Sequence, residues 1–414
     1  MAFGWFLSRV LVATVALGVT PVQADERAHL AQTTCTVLDQ AVIANPGGPL
    51  LLSSYPAWQG QLPPIEALRH VAFTYDNALA SIALFACGKT DSARRIADAL
   101  VLATVNDPQY RDGRVRNAYA SGLVDTSVMK LPGYWSQERN AWNQDAYQVS
   151  SATGNEAWAA LALLQAYSHT RHMPYLTAAK RVLEWTASTT LGNASPTGFV
   201  GGFFGYPPTP ARQNWKSTEH NIDLAAAWTA LDRVEPDANA RAQAMIARNF
   251  VNSQWDAEQG RFLIGTGADG QTSDRERSGL DASVWPLIAL SDPPADWMRV
   301  LTFVDQAHGI AGGYGFNRHP DGLWTEGTAQ VAAVSVLRGL PERAAPLWPI
   351  LKAQQTDQGW LFATPLPQIG TGLAIGPDSV TNDFFYYHLP HLGATAWAAL
   401  AAIGANPFIP SPPM

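Results

Sequence analysis

The sequence predicts an all-helical fold built on a sixfold repeat, and three observations carry that expectation. Six segments are apolar on nearly every face. Six amphipathic segments with charged outer faces alternate with them. Several of the amphipathic segments then run into a turn that pairs glycine with an aromatic residue. A helix that is hydrophobic all round must be buried on all sides, and self-similarity at a fixed unit size is the mark of a repeat architecture. Six buried helices inside six amphipathic ones make a closed double ring, an (α/α)6 barrel with Gly/aromatic-rich loops. An open helical solenoid would expose its concave helices, and this inner set is too apolar for that.

The chain begins "MAFGWFLSRVLVATVALGVTPVQADE", where Arg9 is the only charge before an apolar run from Val10 to Val19. Val22-Gln23-Ala24 then offers a small-residue cleavage site, which reads as a secretory signal peptide over residues 1–24. The run is too short for a membrane span, which needs roughly 20 apolar residues. No later stretch is long and apolar enough either. Residues 25–414 are expected to form one domain outside the cytoplasm, periplasmic or secreted.

The first outer helix is "ERAHLAQTTCTVLDQAVIA", ahead of the buried "TYDNALASIALFACG". "TDSARRIADALVLATV" leads to the buried "TGNEAWAALALLQAYSH". "PYLTAAKRVLEWTAST" leads to "NWKSTEHNIDLAAAWTAL". "DANARAQAMIARNFVNSQW" passes through the turn "DAEQGRF" to "GLDASVWPLIAL". "PADWMRVLTFVDQA" passes through "AHGIAGGYGF" to "WTEGTAQVAAVSVLRGL". "ERAAPLWPILKAQQ" passes through "TDQGWLF" to "GATAWAALAAIGA". No Ser/Gly or Pro run divides this series. Charged residues are only 15% of the chain, the net charge is −7 and there are no basic runs, so the pattern of a nucleic-acid binder is absent. Cys35 and Cys87 are the only two cysteines, and in an oxidising compartment they are expected to pair.

The inner helices share a feature at their starts. Helix one opens on Tyr75-Asp76-Asn77, helix two on Asn155-Glu156, and helix three on Glu219-His220-Asn221 behind Ser217 or Thr218 as N-cap. Helix four opens on Asp281 and helix five on Trp324-Thr325-Glu326, while Asp383 stands in the segment before helix six. Inner helices of such a ring run parallel, so these acids would meet at one mouth. An acid in a first helical turn is favoured by the helix dipole alone, by about 0.3–1 kcal/mol, so any one of them is an ordinary capping residue. A ring of them crowds like charges, which costs energy unless something uses them. Trp158 and Trp285 lie deep enough to be core, whereas Trp215, Trp324 and Tyr386 sit in loops and are candidates to stack on a ligand. The connection from Asn106 to Ala152 is long, and loops beyond about 12–15 residues are usually functional or disordered. Its Trp135, Trp142 and Tyr147 favour a cleft wall, with Gly201–Trp215 lining another.

Carboxylates in pairs beside aromatic platforms are the equipment of glycoside hydrolysis, one acid protonating the leaving oxygen and a second activating water or attacking the sugar. Glu219 is the expected acid, because it opens a strongly apolar helix and a crowded, partly apolar mouth lifts a carboxyl pKa. Asp76, Asp281 and Glu326 compete for the base role. Tyr75, Asn77, Trp135, Trp142, Trp215, His220, Asn221, Trp324, Asp383 and Tyr386 are the expected substrate-binding residues. No H-E-x-x-H or clustered Cys/His pattern suggests zinc, no G-x-S-x-G marks a serine hydrolase, and no P-loop spacing is present. No cofactor is expected.

On "TYDNALA", "STEHNIDL", "GLDASVW" and "WTEGTAQ", together with the sixfold alternation, the chain resembles the six-hairpin glycosidase superfamily over essentially its whole mature length. That resemblance implies a cleft at the inner-helix mouth that binds a carbohydrate chain. The same superfold hosts polysaccharide lyases and sugar epimerases. A lyase acting on a uronic-acid polymer would need a Tyr or His base and cations, for which Tyr75, His220, His388 and Arg212 are available. A glycan-binding protein without catalysis is the remaining alternative.

Overall fold

The computed structural model describes residues 21–411, so the signal-peptide expectation lies almost wholly outside the described residues. Six inner helices span Thr74–Ala86, Thr153–Thr170, Thr218–Val234, Leu280–Ala289, Thr325–Leu337 and Leu392–Ile403. The fourth is broken: Leu280–Val284 and Pro286–Ala289 are separate helical pieces joined at Trp285. Pro286 has no N–H to give the preceding turn. The outer elements are Pro21–Ile43, Thr90–Ala103, Met173–Thr190, Ala238–Ser253, Ala295–Ala307 and Pro341–Lys352, the last two each in two pieces. No described helix is long and apolar enough to cross a membrane.

Each inner helix packs on the next, and the sixth packs on the first. The N-terminal outer helix lies against the sixth inner helix, so the two ends of the chain close the ring together. A second cycle runs through the backbone at the mouth. The N–H groups of Thr74, Thr153, Thr218, Leu280, Thr325 and Leu392 donate to the carbonyls of Asn117, Gly201, Ile264, Phe316, Ala363 and Ser54. Each acceptor belongs to the connection that leads into the next inner helix of the cycle. An N-terminal helix N–H has no partner within its own helix, and here the neighbouring connection supplies one. Thr74, Thr153 and Thr218 add a hydroxyl bond of 2.6 Å to the same connections, at Arg116, Val200 and Leu263.

These connections contain what an all-helical expectation omits, namely nine small sheets in which no strand exceeds three residues. Among them, Gly202–Phe204 lies between Ala211–Gln213 and Ser151–Ala152. Segments this short carry no alternation for a sequence reader to detect. The core is the space between the two helix layers and inside the inner ring, where Trp158, Trp228, Trp285 and Trp397 are fully buried.

Cys35 on the first outer helix and Cys87 at the end of the first inner helix form a disulfide with Cα atoms 5.8 Å apart. It closes a loop of sequence separation 52, for which chain entropy assigns about 4 kcal/mol. The Cys35→Ser/Cys87→Ser variant is expected to lose stability on that scale in urea unfolding. An unchanged midpoint would show that the helix pair is held by packing alone.

Candidate active site

The stretch "NWKSTEHNID" illustrates how the mouth is built. Lys216 is buried, and its ammonium donates to the carbonyls of Ala194, Pro196 and Gly270 at 2.7 Å each. Those three bonds fix the loops on either side of the third inner helix. Ser217 is the N-cap, its hydroxyl accepting from the His220 N–H. Asn221 is fully buried, exchanges hydrogen bonds with both backbone groups of Phe199 and donates to Ser217 O. Asn77 does the same for Leu52 from the first inner helix. Both amides are spent on backbone, so these two residues shape the mouth and have no free group to offer a sugar.

Asp76, Glu219, Asp281 and Glu326 lie close enough to act on one another's charges, whereas Glu156 accepts the Val115 N–H away from them. Glu219 feels, after its own desolvation, the charges of Asp281, Asp223 and Glu326, and all of these raise its pKa well above the ordinary carboxyl range. Asp223 lies one helical turn below Glu219 at i+4. It is completely buried and neither of its oxygens has a hydrogen-bond partner. Burial, with Asp281 beside it, pushes its pKa far up. Asp281 differs because its Oδ1 accepts the Ala282 N–H at 2.6 Å. Burial lifts it only to about 6. Asp281 is the one of these three acids whose carboxylate accepts a backbone N–H.

Across the mouth, a second group joins helices one, five and six. Glu326 Oε1 accepts the Tyr75 hydroxyl at 2.6 Å, and Tyr75 Oη in turn accepts the Trp397 indole N–H at 2.8 Å. His391, the N-cap of the sixth helix, stands between two carboxylates: Nε2 is 3.6 Å from Asp76 Oδ2 and Nδ1 is 3.6 Å from Glu326 Oε2. Gly393 permits this arrangement, since a Cβ there would come within 3.0 Å of both Asp76 Oδ1 and Glu326 Oε2. Burial pulls the His391 pKa down, but Asp76 and then Glu326 outweigh it and leave it raised. Burial lifts Glu326 to about 7, with His391 and the Tyr75 bond opposing and Asp76 and Asp281 assisting. Tyr55 stacks on His391 with centroids 4.9 Å apart.

Of the other expected residues, His220 lies against Gly154 and beside Trp215, and burial lowers its pKa to about 4, so its imidazole is neutral. Trp215 is half-buried over Gly201. Tyr386 is half-exposed and near Glu326, Asp76 and Asp281, whose charges, after its own burial, raise its pKa. Trp135 and Trp142 are directly paired across a two-stranded hairpin, and Trp142 is 60% exposed. They therefore stand out on an arm rather than in the cluster of acids. Two further expectations are corrected, as those for Asn77 and Asn221 were above. Trp324 is only 1% exposed, packed beneath Gly327 and against Phe316, and offers no face to a ligand. Asp383 clasps its own loop, accepting from Ile375 N at 2.8 Å and Ser379 Oγ at 3.0 Å, and is not among the charged neighbours of the mouth acids.

Residues that sequence reasoning missed are His391, Asp223 and Tyr55. His391 is the N-cap of the sixth inner helix, which opens on Leu392-Gly393 with no acid in its first turn, so a search for acids at helix starts passes it over. Asp223 is signalled by its i+4 spacing from Glu219.

No protein-family model matches the chain, and no curated protein matches it. Solved structures do match in fold. A wild-type glycosidase aligns with a TM-score of 0.61 at 12% identity, covering 95% of this chain and 100% of its own. The cellobiose 2-epimerase of Bacillus thermoamylovorans aligns at 0.63 and 10%, covering 92% and 99%. An alpha-amylase from Clostridium perfringens aligns at 0.60 and 12%, covering 90% and 97%. The chain resembles these glycosidase, epimerase and amylase structures in fold. At these identities the likeness is one of architecture, and the chemistry has to be argued from the mouth itself.

Proposed function

We propose that the protein is a secreted or periplasmic glycoside hydrolase on an (α/α)6 barrel, using carboxylate acid/base catalysis at the inner-helix mouth. The feature that carries this is the trio Glu219, Asp223 and Asp281, in which desolvation and mutual repulsion raise the Glu219 pKa while the Ala282 N–H favours the Asp281 carboxylate. Glu219 passes its proton to the glycosidic oxygen as the C–O bond breaks. Asp281 takes a proton from the attacking water, or attacks the anomeric carbon itself, according to their separation. His391, with Asp76 and Glu326, binds sugar hydroxyls on the opposite wall. The glycosidase and amylase among the fold neighbours support a carbohydrate substrate.

A second reading is epimerisation of a reducing sugar, favoured by the imidazoles of His391 and His220 on opposite sides of the ring and by the epimerases among the neighbours. No Lys or Arg figures among the charges acting on Glu219, Asp223, Asp281 or Glu326, which weighs against a uronate lyase. One assay separates the readings. Oligosaccharides incubated in D2O are expected to yield new reducing ends with no deuterium on carbon. Carbon-bound deuterium without new reducing ends would reject hydrolysis in favour of epimerisation.

A further inference from the structure

Strands Gln368–Gly370 and Phe385–Tyr387 pair antiparallel and carry the segment 371–384 at their end. This segment lies in the connection between the fifth and sixth inner helices. It is braced internally by the two Asp383 bonds and by the Thr371 hydroxyl donating to Phe384 O at 2.9 Å. Its far contacts are on other connections. Gly376 abuts the Cζ end of the Phe204 ring, where a Cβ would come within 2.9 Å of Cζ and both Cε atoms. Phe384 lies 5.8 Å from Tyr147, centroid to centroid.

Phe204 belongs to the connection between the second and third inner helices, and Tyr147 to that between the first and second. In a cycle of six, the gap between helices five and six faces the gap between helices two and three. The segment therefore crosses the mouth along a diameter. The acids lie beneath it: Tyr147 is close enough to Glu219 and Asp76 to feel their charges, as Tyr386 does those of Glu326, Asp76 and Asp281. A polymer laid across the mouth would have to pass through the bridge made by Gly376 on Phe204. A chain terminus would not.

We propose that the 371–384 strap turns the mouth into a blind pocket, so that the enzyme removes units from a chain end and does not cut within a chain. This rests on the hydrolase reading. The test has two arms, both on the full-length protein. In the first, Phe204→Cys/Gly376→Cys is treated with a short bis-thiosulfonate linker, and mass spectrometry is expected to find the two positions bridged. Two separately modified thiols with no bridge would overturn the strap. In the second, wild-type protein receives oligosaccharides with both termini free or both capped, and products are read by mass. Stepwise shortening of the free set and no cleavage of the capped set is expected. Internal fragments from the capped set overturn chain-end action and leave the hydrolase reading standing. A bridged strap with no cleavage of either set overturns the hydrolase reading itself.

Discussion

Glu219→Gln is expected to lower hydrolysis by about 10²–10⁴-fold, the usual worth of a positioned general acid, while the fold is kept. The amide has the volume of the acid and removes a carboxyl that burial and three neighbouring acids already disfavour as an anion. Thermal stability should therefore be unchanged or slightly higher. A second measurement separates the acid role from a merely structural one. A glycoside with a nitrophenolate leaving group needs little proton donation, so the variant should keep much more of its rate on that substrate than on an alkyl glycoside. Equal losses on both would place Glu219 elsewhere in the mechanism, and full activity on both would remove it. Asp281→Asn should instead be slow on both, because activation of water does not depend on the leaving group.

Much of this was legible in the sequence because the repeat is expressed in apolar periodicity. The inner helices are so uniformly apolar that their burial, number and alternation could be read directly, and with them the gathering of Asp76, Glu219, Asp281 and Glu326. The failures have a common physical cause. Whether Trp324, Asn77 or Asn221 faces the ligand or the wall depends on where the connecting loops fold back, and that is set by tertiary hydrogen bonds such as those of Asn77 with Leu52. Asp383 was placed at the mouth by proximity to the sixth helix in sequence. Asp383 instead closes the 371–384 segment on itself, and the chain reaches the mouth acids afterwards, through Tyr386 and then His391.

The crowding of those acids should also set the pH dependence of stability. Burial lifts Glu326 to about 7 from its ordinary 4.5, so between those values the folded state binds a proton that the unfolded chain releases. Its contribution is fully present below the unfolded pKa and is lost as pH rises through the folded one. A shift of this size corresponds to ~3 kcal/mol. Asp281, lifted to about 6, acts in the same direction, and so does His391, whose pKa is raised chiefly by Asp76. Unfolding free energy measured in urea is thus expected to decline from mildly acid to mildly alkaline pH. Glu326→Gln keeps an oxygen to accept the Tyr75 hydroxyl and cannot ionise, so its decline should be shallower by about 3 kcal/mol over the same range. Parallel pH profiles for the two proteins would mean that Glu326 is solvated in the folded state, and the buried-acid account of this wall of the mouth would have to be abandoned. If the profiles diverge as expected, the folded protein holds a destabilising charge at working pH. That cost is reasonable only where a ligand or a transition state uses it, which is the same inference that the gathered acids support in the sequence.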